Sequence, residues 1–138
     1  MNAVKTFIDT NVLVYAFTAS EPEKQKIAIK FLDDCLPVIS TQVIKEFTNV
    51  LLIKTNISVQ EIRETISEII DIADLVNEEP GHIFDSFDIH RRYQYSFYDS
   101  LIIATAIKSK CSVLLSEDMQ DKQIIDDYLE IINPFNIN

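Results

Sequence analysis

Residues 7–15, Phe7-Ile8-Asp9-Thr10-Asn11-Val12-Leu13-Val14-Tyr15, pass from apolar to polar and back to apolar within one short stretch. The first apolar run stops at an acid, and a Thr and an Asn follow before apolar residues resume at another period. This pattern predicts a buried strand ending at Asp9 that turns at once into a helix. Asp, Thr and Asn can each offer an oxygen to the free N–H groups of a first helical turn. A carboxylate so placed is a helix cap. It is also a negative charge at the C-terminal end of a central parallel strand, where open α/β sheets hold their ligands. The positions of the other acids bear on which reading applies.

Working outward, strands are predicted over 3–8, 37–40, 112–115 and 130–132, with a brief edge strand at 75–76. Helices are expected over 11–17 and 21–34, the latter with Ile27, Ala28, Phe31 and Leu32 at helical spacing. Ser40 or Thr41 caps a third helix that carries Val43, Ile44, Phe47, Val50 and Leu51 inward and ends near Asn56. Ser58 caps a fourth, striped by Ile62, Ile66, Ile69, Ile70 and Ala73. Two more follow over 82–93 and 96–108, and the second is apolar on nearly every side, which predicts the most buried helix of the fold. Residues 117–128 read as loop and helix. Strands alternating with helices imply crossover connections and a parallel sheet covered on both faces. The expected architecture is a three-layer α/β/α domain, one unit over 1–138.

Composition narrows the chemistry. The chain has 138 residues, 47% of them hydrophobic, enough for a proper core. Its longest uninterrupted apolar run, Val12 to Phe17, is too short for a membrane span or a signal-peptide core, so a cytoplasmic location is expected. Cys35 and Cys111 have no CxxC spacing and read as two buried thiols. His82 and His90 lack metal-ligand spacing and read as surface or capping residues. Gly81 is the only glycine, which excludes Walker-A loops, dinucleotide fingerprints and the G-x-S-x-G elbow. Net charge is −10, from 12 basic and 22 acidic residues. That counts against binding nucleic acid through bulk positive charge, although metal ions or a local basic patch can supply what overall charge does not. No Lys or Arg occurs between Glu64 and Asp88, a stretch that reads as a solvated acidic face.

Four acids fall where surface charge is not expected. Asp9 ends a strand, and Glu46 lies in an otherwise apolar helical stretch. Asp99 stands in the first turn of the most hydrophobic helix, and Asp118 follows the strand Val113-Leu114-Leu115 behind Ser116 and Glu117. Each has a structural account of its own: Ser96-x-x-Asp99 resembles a capping box, and Asp118 could cap a following helix. Three of them nevertheless share one end of a parallel sheet. Clustered carboxylates repel one another unless a cation joins them, and an oxygen-only ligand set suits Mg²⁺ or Mn²⁺ better than zinc.

Four segments carry a family resemblance. Phe7-Ile8-Asp9-Thr10-Asn11-Val12-Leu13, Ile39-Ser40-Thr41-Gln42-Val43-Ile44-Lys45-Glu46-Phe47, Tyr98-Asp99-Ser100-Leu101-Ile102-Ile103-Ala104 and Leu115-Ser116-Glu117-Asp118-Met119-Gln120 resemble the four acidic motifs of PIN-domain ribonucleases. The closing Ile132-Asn133-Pro134-Phe135 is similar to the usual end of the VapC-like toxins in that family. The resemblance implies a five-stranded parallel sheet and a metal-dependent endoribonuclease. It also implies a cognate antitoxin that blocks the site, and a homodimer. It assigns metal ligation to Asp9, Glu46, Asp99 and Asp118, with Thr10 or Asn11 and Ser116 as supporting polar residues. Glu117 adjoins Asp118, and whether it shares or replaces that role stays open at this point.

RNA must still approach an acidic protein. His90-Arg91-Arg92-Tyr93-Gln94-Tyr95 is the one place where adjacent basic residues mix with aromatics. The segment reads first as a snorkelling, solvated helix end, and second as an RNA contact, with phosphate met by Arg91 or Arg92 and bases stacked on Tyr93 or Tyr95. Two other functions stay open at this point. Asp9-Thr10-Asn11-Val12-Leu13 partly resembles the first motif of haloacid-dehalogenase-type phosphatases, with Asn11 where those have a second Asp. A regulatory domain could also use the acids only to hold a metal or a basic partner.

Overall fold

The computed structural model describes residues 3–136, so residues 1–2 and 137–138 of the expected single unit lie outside it. The chain runs β1 (Lys5–Ile8), α1 (Thr10–Phe17), α2 (Pro22–Asp34), β2 (Leu36–Ser40), α3 (Thr41–Lys54), α4 (Val59–Ile72), β3 (Asp74–Val76), α5 (Pro80–Tyr93), α6 (Phe97–Lys108), β4 (Val113–Leu115), β5 (Ile124–Ile125) and β6 (Leu129–Ile132). The sheet order is β3-β2-β1-β4-β6-β5. β1 pairs in parallel with β2 and β4, β2 with β3, and β4 with β6. These are the five strands expected from sequence, and the architecture is the three-layer α/β/α one.

The chain steps outward from β1 to β2 to β3, then crosses back to the far side of β1 to lay down β4. Right-handed crossovers in opposite directions put α1–α4 and α5–α6 on opposite faces. The sequence direction therefore reverses between β1 and β4, and such a reversal opens a crevice at the strands' C-terminal ends. Asp9 follows β1 and Ser116 follows β4, so both stand at that opening.

The caps are local and legible. Ser40 Oγ accepts from Val43 N–H (3.3 Å), and Ser58 Oγ from Glu61 N–H (3.1 Å). His82 is buried and caps, its Nδ1 accepting from Glu79 N–H at 2.9 Å. Every residue of α6 from Ser100 to Ala106 is buried. Phe7, Ile8, Val43, Phe47, Ile103 and Leu114 are fully enclosed in one core. Cys111 is buried as expected, whereas Cys35 is only half-buried; both are free thiols.

One expectation fails. Residues 117–128 contain no helix but turns and the short strand β5, antiparallel to β6, which makes the sheet six-stranded and mixed. Asp126 and Asp127 both adopt left-handed backbone (φ 54° each), and Tyr128 N–H closes the turn on Ile125 O at 3.0 Å. Two successive positive φ angles are the geometry of a tight hairpin and cannot continue a helix. Asp118 consequently caps nothing.

Candidate active site

Asp9 sits where β1 hands over to α1. Its Oδ1 accepts from Thr10 N–H at 2.7 Å, and its Oδ2 from the fully buried Ser116 hydroxyl at 2.7 Å. The residue is only 6% exposed. Burial raises its pKa to about 6 despite both hydrogen bonds, and the nearby Asp99 and Glu46 carboxylates add to the rise. A buried carboxylate in this condition is costly to ionise without a cation.

The other three acids surround it. Glu46 lies in the second turn of α3, and its Oε1 accepts from the Thr10 hydroxyl at 2.8 Å. Asp99 is in the first turn of α6, fixed by its N–H donating to Ser96 Oγ at 3.2 Å. Its pKa is raised by burial and, secondarily, by the Asp118 charge. Asp118 is exposed on the loop after β4, and its Oδ2 accepts from Asn11 Nδ2 at 3.0 Å. Asn11 holds that loop twice over, because its Oδ1 also accepts from Glu117 N–H at 3.2 Å. With both ends of its amide so used, Asn11 acts as a brace between α1 and β4, not as an acid–base group.

All four acids line a single cleft of about 420 Å³, together with Thr10 and Asn11. Val14, Tyr15, Val50 and Ile102 form its apolar wall, and the exposed Lys54 borders it. None of the four acids forms an ion pair among the described residues. Nor do any three His, Cys, Asp or Glu side chains among those residues converge tightly enough to make a finished ligand shell. The acids face a shared space, which fits a hard dication that retains several of its waters.

The remaining sequence candidates lie elsewhere. Glu117 turns away from the cleft to pair with Lys24 and to accept from Tyr15 Oη at 2.8 Å. Lys24 lies over the rings of Tyr15 (4.7 Å) and Phe135 (5.3 Å), and its ammonium pKa is pushed up to about 12, chiefly by Glu117. Arg91 and Arg92 do not border the cleft. Arg91 pairs with Asp88 (2.6 Å), and Arg92 with Asp88 (2.9 Å) and Asp126. Tyr93 Oη donates to Asp126 at 3.0 Å, and Tyr95 Oη donates to Gln123 and accepts from Gln120 N–H at 3.1 Å. Arg92, Tyr93 and Tyr95 tie α5 and its following turn to the β5 region, whereas Arg91 pairs within α5. Sequence reasoning missed Lys54, although Glu46, Val50 and Lys54 follow one another at the four-residue spacing of a single helix face.

The comparisons with known proteins bear on the family and the fold. The family model of the PIN domain matches residues 6–124. No curated protein matches the chain in sequence. Among solved structures, a toxin–antitoxin complex from Klebsiella pneumoniae superposes with a TM-score of 0.73 at 17% identity, covering 96% of this chain and 99% of that one. VapC20 of Mycobacterium tuberculosis, described as a sarcin–ricin-loop-cleaving toxin, gives 0.66 at 14%, over 79% of this chain and 86% of its own. VapBC2 from Rickettsia felis, bound to a DNA fragment from its promoter, gives 0.68 at 14%, over 94% and 99%. At such identities the likeness is one of fold.

Proposed function

The chain belongs to the PIN domain family, and from that premise we propose that it is a metal-dependent endoribonuclease, the toxin of a toxin–antitoxin pair. The observation that carries the reading is the convergence of Asp9, Glu46, Asp99 and Asp118 on one cleft with no ion pair to any of them among the described residues. These four carboxylates would hold Mg²⁺ or Mn²⁺. When bound, such an ion supplies positive charge to the phosphate and lowers the pKa of water enough for it to attack at neutral pH.

The chain's own polar groups prepare the acids for that task. Ser116 and the Thr10 N–H aim the two oxygens of Asp9, and the Thr10 hydroxyl orients Glu46. Asn11 holds Asp118 toward the cleft, and Ser96 anchors the turn that carries Asp99. Val14, Val50 and Ile102 give the cleft an apolar side, and at the enclosed Asp9 charge interactions are less screened by water than at the exposed Asp118.

The solved relatives include complexes of toxin with antitoxin, which supports a cognate antitoxin as the protein partner here. A homodimer and a cytoplasmic location belong to the same reading. No helix among the described residues is long and apolar enough to cross a membrane.

The test is purified protein with end-labelled RNA in Mg²⁺, in Mn²⁺ and in chelator. Cleavage in either metal is expected, with loss in chelator and in Asp9→Asn and Asp99→Asn. RNA left intact by the wild-type protein in both metals would overturn the nuclease reading in favour of a domain that only binds. Copurification with the product of an adjacent small gene, and light scattering of the purified chain, check the antitoxin and the dimer.

A further inference from the structure

A second groove, of about 300 Å³, adjoins the acid cleft and shares Glu46 with it. Its other lining residues are Gln42, Lys45, Asn49 and Tyr98. Gln42, Lys45 and Asn49 occupy one face of α3 at the i, i+3, i+7 spacing, and Tyr98 comes from the start of α6 across the gap. The two helices meet where Gln42 Nε2 approaches Tyr98 O at 3.4 Å.

The chemistry of this groove differs from that of the cleft. Tyr98 is 62% exposed, a large aromatic face held beside a polar surface. Lys45 and Asn49 are exposed, and among the described residues Lys45 has no ion pair. Gln42 is the reverse: it is 8% exposed, yet its Oε1 is buried with no hydrogen-bond partner. Its Nε2 faces two acceptors, Glu46 Oε1 and Tyr98 O, both at 3.4 Å. Exchanging the amide's O and N would set oxygen against oxygen, so the unpaired atom is the acceptor. A buried acceptor without a donor is costly. A ligand N–H in the groove would relieve it once the Gln42 amide rotates outward, which gives up only the two long 3.4 Å contacts of its Nε2.

An aromatic face, two amides and one cation are the groups with which proteins hold an unstacked base and its phosphate. We infer that this groove is a nucleobase subsite: one unpaired base of single-stranded RNA stacks on Tyr98 and presents an N–H to Gln42, while Lys45 meets the adjoining phosphate. Asn49 reads the rest of the base edge. The shared Glu46 joins the subsite to the acid centre, so the base held here belongs to a nucleotide beside the scissile phosphate. The inference rests on the ribonuclease reading for its substrate but not for its test.

The test measures binding and cleavage separately. Fluorescent hexamers of adenylate, cytidylate and uridylate are titrated by anisotropy against Asp9→Asn protein, in which the proposed cleavage is removed from the readout. Into that background go Tyr98→Ala, Tyr98→Phe, Gln42→Met and Asn49→Ala, each checked for fold by circular dichroism. Tyr98→Ala is expected to weaken binding by about tenfold or more while Tyr98→Phe retains it, since stacking needs the ring and not the hydroxyl. Gln42→Met and Asn49→Ala are expected to flatten the ranking among the three hexamers. Cleavage-site mapping with Gln42→Met and Asn49→Ala in otherwise wild-type protein should show the same loss of base preference. Wild-type affinity and ranking in all four variants would overturn the subsite, whether or not the protein cleaves RNA. Base-selective binding lost in the variants, with no cleavage by the wild type, would uphold the subsite and overturn the nuclease. If Tyr98→Ala instead converts a dimer to monomer and leaves hexamer affinity unchanged, the face is a self-association surface and the inference fails.

Discussion

Burial and hydrogen bonding act in opposite directions on Asp9. Two donors at 2.7 Å favour its charged form, yet enclosure at 6% exposure prevails and carries its pKa from 3.8 to about 6. The sign for stability follows. Below the ordinary pKa both folded and unfolded chains hold the proton, and Asp9 makes no difference. As pH rises toward 6 the unfolded chain releases the proton more readily, so the folded state loses stability, by an amount on the order of 3 kcal/mol once both forms are ionised. Asparagine can accept from Thr10 N–H and donate to Ser116 Oγ without a charge. Asp9→Asn should therefore make the metal-free protein more stable at pH 8, by about 2–3 kcal/mol in urea melts, with the gain vanishing near pH 4. An equal gain at both pH values would show that ionisation is not its cause.

At the scale of the element, α6 joins the core to the site. Its middle is wholly buried, and its first turn holds Asp99 through a single serine cap. Ser96→Ala should cost about 1 kcal/mol of stability, the usual worth of such a cap. It should also lower kcat at temperatures where the fold is intact, because the same bond fixes the backbone of Asp99. The end of α5 serves another purpose. Arg92 bridges Asp88 and Asp126, and its guanidinium pKa is raised by both. Arg92→Ala is expected to lower Tm by loosening the β5 hairpin while leaving RNA affinity at low salt unchanged. A loss of affinity at constant Tm would restore the RNA-contact role that the sequence suggested for this segment.

For the whole molecule, the net charge of −10 governs how substrate arrives. Among the described residues, Lys45 and Lys54 are the cations that line the two grooves. RNA affinity should consequently depend weakly on salt, with a log–log slope of roughly −1.4 for two single-strand phosphate contacts. A slope several times steeper would point to a basic surface outside these two grooves. Divalent metal should act on the fold as well as on the chemistry. At 100 times its dissociation constant, Mg²⁺ should stabilise the wild-type chain by about 2.7 kcal/mol, read as a rise in Tm that Asp9→Asn abolishes.

Period, capping residues and strand-helix alternation are written in short windows of chain, so the five parallel strands, six helices and three serine caps could all be read from sequence. So could the four acids, because each stands against a local rule: a charge at a strand end or within an apolar stretch. The segment 117–128 misled because Ile124, Ile125 and Leu129 are compatible with a helix, whereas the left-handed pair Asp126-Asp127 that makes the hairpin has no glycine to announce it. The distant partners of Arg92 and Glu117 were equally hidden, since Asp126 and Lys24 lie far away in the chain and only the packing of distant elements brings them together. The same holds for the groove between Gln42 and Tyr98. Sequence determined which side chains could do chemistry, through interactions between near neighbours. Tertiary structure decided which of them are already neutralised and which face open space, because charge pairing and burial depend on distance through the fold and not along the chain.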